Sequence, residues 1–480
     1  MILTLLALLP LAGALVAWAA GARNPGSARV VALAVSLAQL ALTATVAVAM
    51  TGASHAALTG GLTGMPDSFW LLRLDGLALP LVALTSLLGV VAVLASWRVE
   101  DRPGAHFALL LTLQAAVTLV FMADHLVLFY AAWEAVLIPM FFLIGGWGHS
   151  GRRHAAMKFF IYTFAGSALM LVGLMIVAFS TGELRISALS AGMLDPGIRT
   201  LVFWLLVAGF AVKVPVFPLH TWLPDAHVEA PTAGSIMLAG VLLKMGGYGL
   251  LRLALPLSPE AARVAAPIFA VLGIIGIVYG AVLALAQTDL KRLVAYSSVA
   301  HMGFVVLAIS VGTPLALQAA VLVMIAHGLI SALLFLVVGQ LYDRTHTRSL
   351  ARLGGLMATL PLWSTIFIFA SLAGLGLPGL AGFPGELLTM LEGFTAWGWW
   401  MAFVALGVVV AGAYGLRAIR HVAQGPALPE WARLHDLDAI DLAAALPLVV
   451  GIVAVGVWPS FVGGVAAPVM RALAATLGRG

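Results

Sequence analysis

Residues 210–227, FAVKVPVFPLHTWLPDAH, decide the fold because they combine features that do not belong in an ordinary membrane helix. The run before them, TLVFWLLVAG at 200–209, has the composition of a membrane span. Lysine is costly inside hydrocarbon, and proline interrupts helices. Lys213, Pro215 and Pro218 therefore predict a membrane helix that is broken near its middle and holds an ionisable group at the break.

The whole chain is too apolar to be a water-soluble domain. Of its 480 residues, 62% are hydrophobic and 9% are charged, whereas a soluble domain carries about 25% charged residues. Apolar runs of about 20 residues recur from end to end, which is the length that a membrane-spanning helix needs. The composition predicts an all-α polytopic membrane protein that forms a single transmembrane domain over residues 1–480.

Fourteen helices are predicted, and the seventh and twelfth are broken, at KVPVFP (213–218) and GLGLPGLAGFPGE (374–386). If helices 4–8 and 9–13 form two five-helix repeats, each break falls in the fourth helix of its repeat. Because five is odd, the repeats are inverted, and matching breaks in inverted repeats indicate a transport site. The alternative is that the prolines only kink their helices. The predicted helices lie near 2–20, 28–50, 76–97, 105–123, 125–146, 156–180, 198–220, 231–254, 262–286, 292–311, 315–342, 361–395, 398–420 and 441–465.

This repeat predicts four segments within the domain. The N-terminal helices 1–3 occupy 1–103, the first repeat 104–256, the second repeat 257–421 and helix 14 the segment 422–480. The N-terminal stretch MILTLLALLPLAGALVAWAAGA resembles a signal peptide but lacks a basic beginning. We therefore expect it to be retained as the first span.

The distribution of Lys and Arg predicts the orientation of the chain. Of 24 such residues, 15 lie in odd-numbered connections between helices and 5 in even-numbered ones. Positively charged connections stay in the cytoplasm. We expect both termini in the periplasm and the chain in a bacterial inner (plasma) membrane.

The absence of cysteine excludes several kinds of site. With no Cys in the sequence, the chain has no Cys-ligated iron–sulfur cluster, disulfide or thiolate-bound metal. The small net charge of +5 does not indicate nucleic-acid binding. Walker, dinucleotide-binding and Ser-His-Asp motifs are also absent.

Four neighbouring side chains raise the question of a metal site, but their spacing matches no strong zinc pattern and favours the mouth of a proton path or a structured loop. They are His220, Asp225, His227 and Glu229.

Ionisable side chains lie deep in six of the predicted spans, and none of them is arginine. Lys, Glu and His exchange protons when burial changes their proton affinity, whereas Arg does not. Intramembrane ionisable residues are usually functional. The selection predicts a proton relay formed by Glu134, Lys213, Lys244, His301, His327 and Glu386.

Each of these residues also has a simpler interpretation. Glu134 is predicted to pair with Lys213, because a lone carboxylate in the membrane is costly, and the pair is either a protonation switch or a static link between helices. Axial ligation of a haem by His301 and His327 is a rival interpretation, but it leaves the nearby Lys and Glu residues unexplained. A histidine in a span can also serve only to donate a hydrogen bond to a backbone carbonyl. Glu386 can serve only as a charge at the positive, N-terminal end of a half-helix.

Three segments resemble one family of membrane proteins. They are WEAVLIPMFFLIGGWG at 133–148, KVPVFPLHTWLPDAHVEAPTAGSIMLAGVLLKMGGYGLLR at 213–252 and QTDLKRLVAYSSVAHMGF at 287–304. These segments resemble the M-type antiporter-like subunit of proton-pumping NADH:quinone oxidoreductase, respiratory complex I, and the resemblance extends over essentially the whole chain. The family is similar to subunits of cation/proton antiporters and membrane-bound hydrogenases.

The resemblance implies roles for particular residues. Glu386 stands where L-type and N-type relatives usually have lysine, which points to the M type. The chain also ends after helix 14 without the long lateral helix of the L type. His301 and His220 are added as further candidates for proton transfer. The proton path that the resemblance implies consists of Glu134, Lys213, Lys244, His327 and Glu386.

The resemblance also implies partners and cofactors. No cofactor is expected in this chain, and NADH, FMN, iron–sulfur clusters and quinone are expected in partner subunits. L-type and N-type subunits are the expected neighbours, beside lipid, protons and internal water. The predicted function is proton translocation in the membrane arm, as a non-redox subunit coupled to NADH:quinone electron transfer. The alternatives are an Mrp-type or stand-alone Na⁺/H⁺ antiporter, a subunit of a ferredoxin- or hydrogenase-linked complex, and a passive scaffold.

Overall fold

The computed structural model describes residues 1–52, 57–61, 69–426 and 428–479. Helices make up most of this part, because apolar runs of this length satisfy their backbone groups internally only as helices. The helices are α1 Ile2–Arg23, α2 Pro25–Gly52, α3 Ala78–Ala95, α4 Pro103–Met122, α5 Leu126–Ala135, α6 Leu137–Trp147, α7 Arg152–Thr181, α8 Pro196–Lys213, α9 Trp222–Glu229, α10 Thr232–Met237, α11 Leu243–Gly249, α12 Leu255–Leu257, α13 Pro259–Ala286, α14 Leu290–Val311, α15 Pro314–Thr345, α16 Leu356–Thr359, α17 Pro361–Gly374, α18 Gly382–Trp397, α19 Met401–Val422, α20 Ala439–Val457 and α21 Ser460–Thr476.

The predicted membrane bundle is confirmed. Among the described residues, thirteen helical runs are long and apolar enough to cross a membrane. One of these runs, Gly382–Val422, contains both α18 and α19. The shorter α17 precedes α18 and forms the first half of the predicted twelfth helix. Counted in this way, the structure agrees with about fourteen membrane helices.

Both predicted helix breaks are present. Residues 214–221 separate α8 from α9, and residues 375–381 separate α17 from α18. The second break contains Gly376 and Gly379, whose φ angles are +70° and +90°. Glycine adopts this left-handed backbone without the penalty that a Cβ atom brings. The boundaries of the predicted repeats, 104–256 and 257–421, stay a prediction.

Two features differ from the predicted helices. A small antiparallel sheet of β1 (Leu58–Gly61) and β2 (Leu71–Leu74) precedes α3. Side chains of β2 alternate between buried and half-buried, as expected for a strand with one covered face. The predicted fourteenth helix, 441–465, is two helices, because α20 ends before Pro459 and the residue before a proline is disfavoured in an α-helix.

The interior of the bundle is formed by α15 and by the span that contains α10, α11 and α12. Both are buried along nearly their whole length. Helix α15 packs against α14, α18, α20 and α21, and it also contacts α10. Because α15 carries His327 and α11 carries Lys244, the packing brings two of the predicted ionisable residues to the centre of the protein.

Candidate functional site

Glu134 lies where α5 gives way to α6. Pro139 has no N–H group to bond with the carbonyl of Ala135, and the hydrogen-bond pattern of the helix is interrupted at Val136. Oε1 of Glu134 is buried without a hydrogen-bond partner among the described residues. The hydroxyl of Tyr130, one turn earlier, lies near enough to interact with the carboxyl group. The interruption leaves Glu134 with an oxygen free to accept a hydrogen bond.

Lys213 is the last residue of α8 and its side chain is buried, with 1% of the residue exposed. Its Nζ lies 5.3 Å from the ring centre of Phe159 and 5.8 Å from that of Trp133. Cation–π contacts of this kind offset part of the cost of removing an ammonium from water. Within the described part of the chain, Nζ has no hydrogen-bond partner.

The predicted pair of Glu134 and Lys213 is not in direct contact, and the two side chains interact only electrostatically over a distance. The charge of Glu134 acts on Lys213, but no ion pair joins the two side chains in the described structure. Lys213 lies over aromatic rings instead. A direct Glu134–Lys213 pair would therefore need a change of conformation in at least one of the two side chains.

Lys244 lies in α11 and is fully buried. The helix on either side of α11 is widened into π-helical turns, Leu238–Leu242 and Leu250–Ala254. Such turns occur frequently at functional sites. Nζ of Lys244 donates to the carbonyl of Ala239 and lies 2.7 Å from Nδ1 of His327. The ammonium and the imidazole are thus in direct hydrogen-bond contact.

His327, His301 and Glu386 continue this contact through the membrane interior. The rings of His327 and His301 have centres 5.7 Å apart, and Nδ1 of His301 lies 2.9 Å from Oε1 of Glu386. A cavity of about 20 Å³ is lined by all three, and a cavity of about 10–15 Å³ is enough for one water molecule. Four side chains are thus linked, and we refer to them as the polar row: Lys244, His327, His301 and Glu386.

Glu386 is the fifth residue of α18, close to the positive end of the helix dipole that favours a carboxylate. Its second carboxyl oxygen lies against Gly376 in the helix break, and a Cβ atom at Gly376 would approach this oxygen to 3.1 Å. Tyr414, on α19, lies within reach of the charge of Glu386. The break therefore provides the space that Glu386 occupies.

His220 lies apart from the polar row. Its ring packs against Phe217 and Tyr279, with ring centres 5.8 and 5.4 Å away. Its Nδ1 is buried and has no hydrogen-bond partner among the described residues. A role of His220 in proton transfer stays a prediction.

The other members of the predicted His220 cluster also face different partners. Asp225 binds Lys158 at 2.6 Å and Arg292 at 2.9 Å. Glu229 accepts a hydrogen bond from the backbone N–H of Gly151 at 2.8 Å. In the part of the chain that the structure describes, no group of three or more His, Cys, Asp or Glu side chains is arranged to hold a metal ion.

A cavity of about 360 Å³ lies at the end of the bundle where odd-numbered connections meet. Lys291 lines it and is buried, and its Nζ donates to the carbonyl of Ala230 at 2.6 Å. Burial and the positive charges of Lys291 and Arg348 lower the pKa of His149 to about 4. His149 is therefore neutral near pH 7. We call this cavity the vestibule and define it by Arg98, His149, Lys291, Asp343 and Arg348.

His227 is the side chain between the vestibule and the polar row. It is fully buried, and its ring stacks on Phe335 with centres 4.4 Å apart and planes at 9°. Neither ring nitrogen has a hydrogen-bond partner among the described residues. The charges of both Lys291 and Lys244 reach the ring.

Sequence reasoning did not give Lys291 and His227 their place in this arrangement. Lys291 directly precedes the predicted tenth helix and was counted with the charges of a connection. His227 was grouped with His220, Asp225 and Glu229 at the mouth of a proton path or in a structured loop, and not with the buried relay. The signal that would have found Lys291 is that it lies in the first turn of an apolar helix, in the same segment as His301, QTDLKRLVAYSSVAHMGF.

Comparison with known proteins identifies the family. Residues 123–412 match the family described as NADH:quinone oxidoreductase/Mrp antiporter, TM. The chain belongs to this family. It is 47% identical to NADH-quinone oxidoreductase subunit M of Pseudomonas aeruginosa over 85% of this chain and 82% of the relative. It is 44% identical to subunit M of Escherichia coli over 81% of this chain and 79% of the relative.

Solved structures show the same relationship. A chain of respiratory complex I from Thermus thermophilus with bound NADH superposes with a TM-score of 0.89, at 29% identity and over 100% of both chains. A chain of the Mrp complex from Dietzia sp. gives a TM-score of 0.86 at 20% identity, also over 100% of both chains, and this likeness shows a shared fold alone.

These relationships confirm the predicted resemblance to the M-type antiporter-like subunit of complex I. The chain is a multi-span membrane protein of a multisubunit bacterial respiratory complex. The predicted function, proton translocation within that complex, is confirmed at the level of the family.

Proposed function

We propose that this chain carries protons across a bacterial inner membrane as a subunit of complex I that holds no redox group itself. NADH oxidation and quinone reduction take place in partner subunits, with their flavin and iron–sulfur clusters, and release the energy. The polar row carries this proposal. It places four exchangeable groups in contact inside an apolar bundle, where ionisable residues are otherwise rare.

The vestibule is the site of proton uptake. Lys291 forms its inner end, and His227 lies beyond Lys291 toward Lys244. An imidazole that has both nitrogens free can accept a proton at one and release it from the other. Protons pass from the vestibule through Lys291 and His227 to Lys244, and then along the polar row to Glu386.

Glu134 and Lys213 couple this transfer to events in the neighbouring subunit. Moving one charge against 100 mV costs about 2.3 kcal/mol. At an effective dielectric constant of about 20, separating a Glu–Lys pair from about 4 to about 8 Å changes its energy by about 2 kcal/mol. The attraction between Glu134 and Lys213, which now lacks direct contact, is therefore of the right size to gate one proton.

The partners and the orientation follow the same proposal. L-type and N-type antiporter-like subunits flank the chain in the membrane arm. Both termini lie in the periplasm, because 15 of the 24 Lys and Arg residues are in the odd-numbered connections. The vestibule then opens to the cytoplasm, the side from which a respiratory pump takes its protons.

The complete complex with Lys213→Ala tests this function. We expect NADH-driven proton uptake into proteoliposomes to fall at least fivefold, while the complex still assembles with its partner subunits. Lys158→Ala is the matched control, because Lys158 is half-buried at the cytoplasmic edge and binds Asp225, and this variant is expected to keep most of the activity. Undiminished pumping by an assembled Lys213→Ala complex would favour a passive scaffold instead.

A further inference from the structure

Glu386 is not the last polar residue on α18. Thr389 and Glu392 follow it at successive intervals of three residues, toward the end of the helix at Trp397. Residues three apart on a helix are neighbours, with Cβ atoms about 5–6 Å apart. The three side chains therefore step from the helix break, where Glu386 lies, toward the far end of α18.

Thr389 occupies the middle of this line. It is fully buried, and its hydroxyl donates to the carbonyl of Gly385 at 2.8 Å. A hydroxyl that donates one hydrogen bond still accepts others. Six residues of helix rise about 9 Å, so Glu386 and Glu392 are separated by a distance that water and the Thr389 hydroxyl have to bridge.

Glu392 is held at the opposite side of the bundle from the vestibule. The hydroxyl of Thr313 donates to Oε2 of Glu392, and the same Thr313 begins α15 by accepting the N–H of Ala316 at 3.2 Å. Trp397 anchors the end of α18 nearby, since its Nε1 donates to the hydroxyl of Ser310 at 3.1 Å. Thr313 lies in the connection between α14 and α15, which are the tenth and eleventh membrane helices. This is an even-numbered connection and lies on the periplasmic side in the proposed orientation.

The surroundings of Glu392 give its charge only the support of the positive end of the α15 dipole, because its partner Thr313 is the residue that caps this helix. Among the described residues, no Lys, Arg or His forms an ion pair with Glu392, whose recorded partner is a neutral hydroxyl. For a half-buried carboxylate without a cation, one hydroxyl and a helix dipole offset only part of the cost of desolvation. A carboxylate that alternates between neutral and charged forms explains the position better.

We propose that Glu392 is the exit residue of the proton path, an inference that rests on the proposed function. Glu386 in its neutral form gives up its proton and becomes a carboxylate. The proton passes by water beside Thr389 to the carboxylate of Glu392. Glu392 then releases it to water on the periplasmic side and returns to its charged form, so that one proton leaves for each proton that Glu386 receives.

Two substitutions of Glu392 in the complete complex separate this role from a structural one. Glu392→Gln keeps the length of the side chain and an oxygen that accepts from Thr313, but it carries no proton. Glu392→Asp keeps the carboxyl group but shortens the reach to Thr313. We expect NADH-driven proton uptake to fall at least fivefold in Glu392→Gln and less than twofold in Glu392→Asp.

The reverse order, with Glu392→Gln active and Glu392→Asp impaired, would overturn the inference and leave Glu392 as a hydrogen-bond partner of Thr313. Undiminished pumping by both variants would overturn it as well. If Glu392→Gln does not assemble, Glu392→Met replaces it as the variant without a proton, and the same results decide.

The failure of this inference is distinguishable from failure of the proposed function. Loss of pumping in Lys213→Ala together with normal pumping in Glu392→Gln removes only the exit residue from the path. Normal pumping in both variants removes the proposed function.

Discussion

At the scale of one residue, the contacts of Lys244 suit the proposed proton path better than those of an arginine would. Its Nζ contacts the carbonyl of Ala239 and the Nδ1 atom of His327. When the ammonium gives its proton to the imidazole, the amine that remains can accept a hydrogen bond from the same Nδ1–H group. The contact survives proton transfer with donor and acceptor exchanged. A guanidinium would hold its proton permanently.

Lys244→Arg is therefore expected to keep a positive charge at this position and to stop proton transfer. In the complete complex, NADH-driven proton uptake should fall at least tenfold. Lys158→Arg is the matched control. Lys158 serves as a fixed cation beside Asp225 at 2.6 Å, so arginine should replace it with less than a twofold effect. An active Lys244→Arg variant would contradict a role of Lys244 in carrying protons.

The residues of the polar row were predictable because each lies deep in an apolar run, and depth in a span is a property of the sequence. The order of contact was not predictable. His301 joins Glu386 at 2.9 Å although 85 positions separate them. The sequence placed His227 at the mouth of a proton path or in a structured loop, and its burial was not predicted because the stacking on Phe335 depends on the packing of α15. Lys291 was missed because a lysine at a helix end resembles an ordinary connection.

At the scale of one element, Glu134 lies beside the point where the hydrogen-bond pattern of its span changes between α5 and α6. Pro139 removes one backbone hydrogen bond, and Val136, two residues after Glu134, keeps a helical backbone, so the span Leu126–Trp147 continues with a gap in its hydrogen bonds. We therefore expect Pro139 to influence the proposed proton path through the backbone, since its side chain has no exchangeable proton.

Pro139→Ala is expected to restore the hydrogen bond to Ala135 and to reduce proton pumping severalfold, although it replaces a helix breaker with the best helix former. Pro267→Ala is the matched control, because Pro267 lies inside the uninterrupted α13. That variant should keep normal pumping. The measurement is proton uptake by the assembled complex, and equal rates for both variants would contradict a role of the interruption.

The helix breaks could be predicted from sequence, because proline and glycine act on their own backbone. The widened turns on either side of α11 could not. The run LAGVLLKMGGYG contains four glycines, which weaken a helix but do not by themselves predict a π-helical turn. The sheet of β1 and β2 was missed for a related reason, since two strands of four residues lie below the length at which alternation is recognisable.

At the scale of the whole molecule, a buried ion pair links the segment before α3 to the span that contains α10, α11 and α12. Both terminal nitrogens of Arg252 donate to Asp75, at 2.6 and 2.8 Å, and Asp75 also accepts the N–H groups of Leu77 and Ala78. Burial by itself would raise the pKa of Asp75. The charge and hydrogen bonds of Arg252 outweigh burial and lower that pKa to about 2.

A second carboxylate joins helices that are distant in the sequence, at a site that is more exposed to solvent. Asp225 binds Lys158 of α7 and Arg292 of α14. These side chains are between 25% and 43% exposed, compared with 3% for Asp75. Exposed pairs are worth about 1 kcal/mol or less and weaken with salt. Removing one partner of a buried pair costs about 3–5 kcal/mol, because it leaves an uncompensated charge.

We therefore expect Asp75→Asn to destabilise the complex strongly, by about 3–5 kcal/mol, and Asp225→Asn by about 1 kcal/mol or less. Thermal denaturation of the purified complexes, followed by tryptophan fluorescence, measures both. Because the pKa of Asp75 is lowered from 3.8 to about 2 on folding, its stabilisation is complete above about pH 4 and is lost as the pH falls through about 2. The loss of stability in Asp75→Asn relative to wild type should thus be the same at pH 5.5 and 7.5, and added salt should not change it. The loss of stability in Asp225→Asn should become smaller as salt is added. Equal losses of stability from the two substitutions would contradict this prediction. They would show that burial of the Asp75–Arg252 pair does not determine how strongly it stabilises the packing of the N-terminal helices.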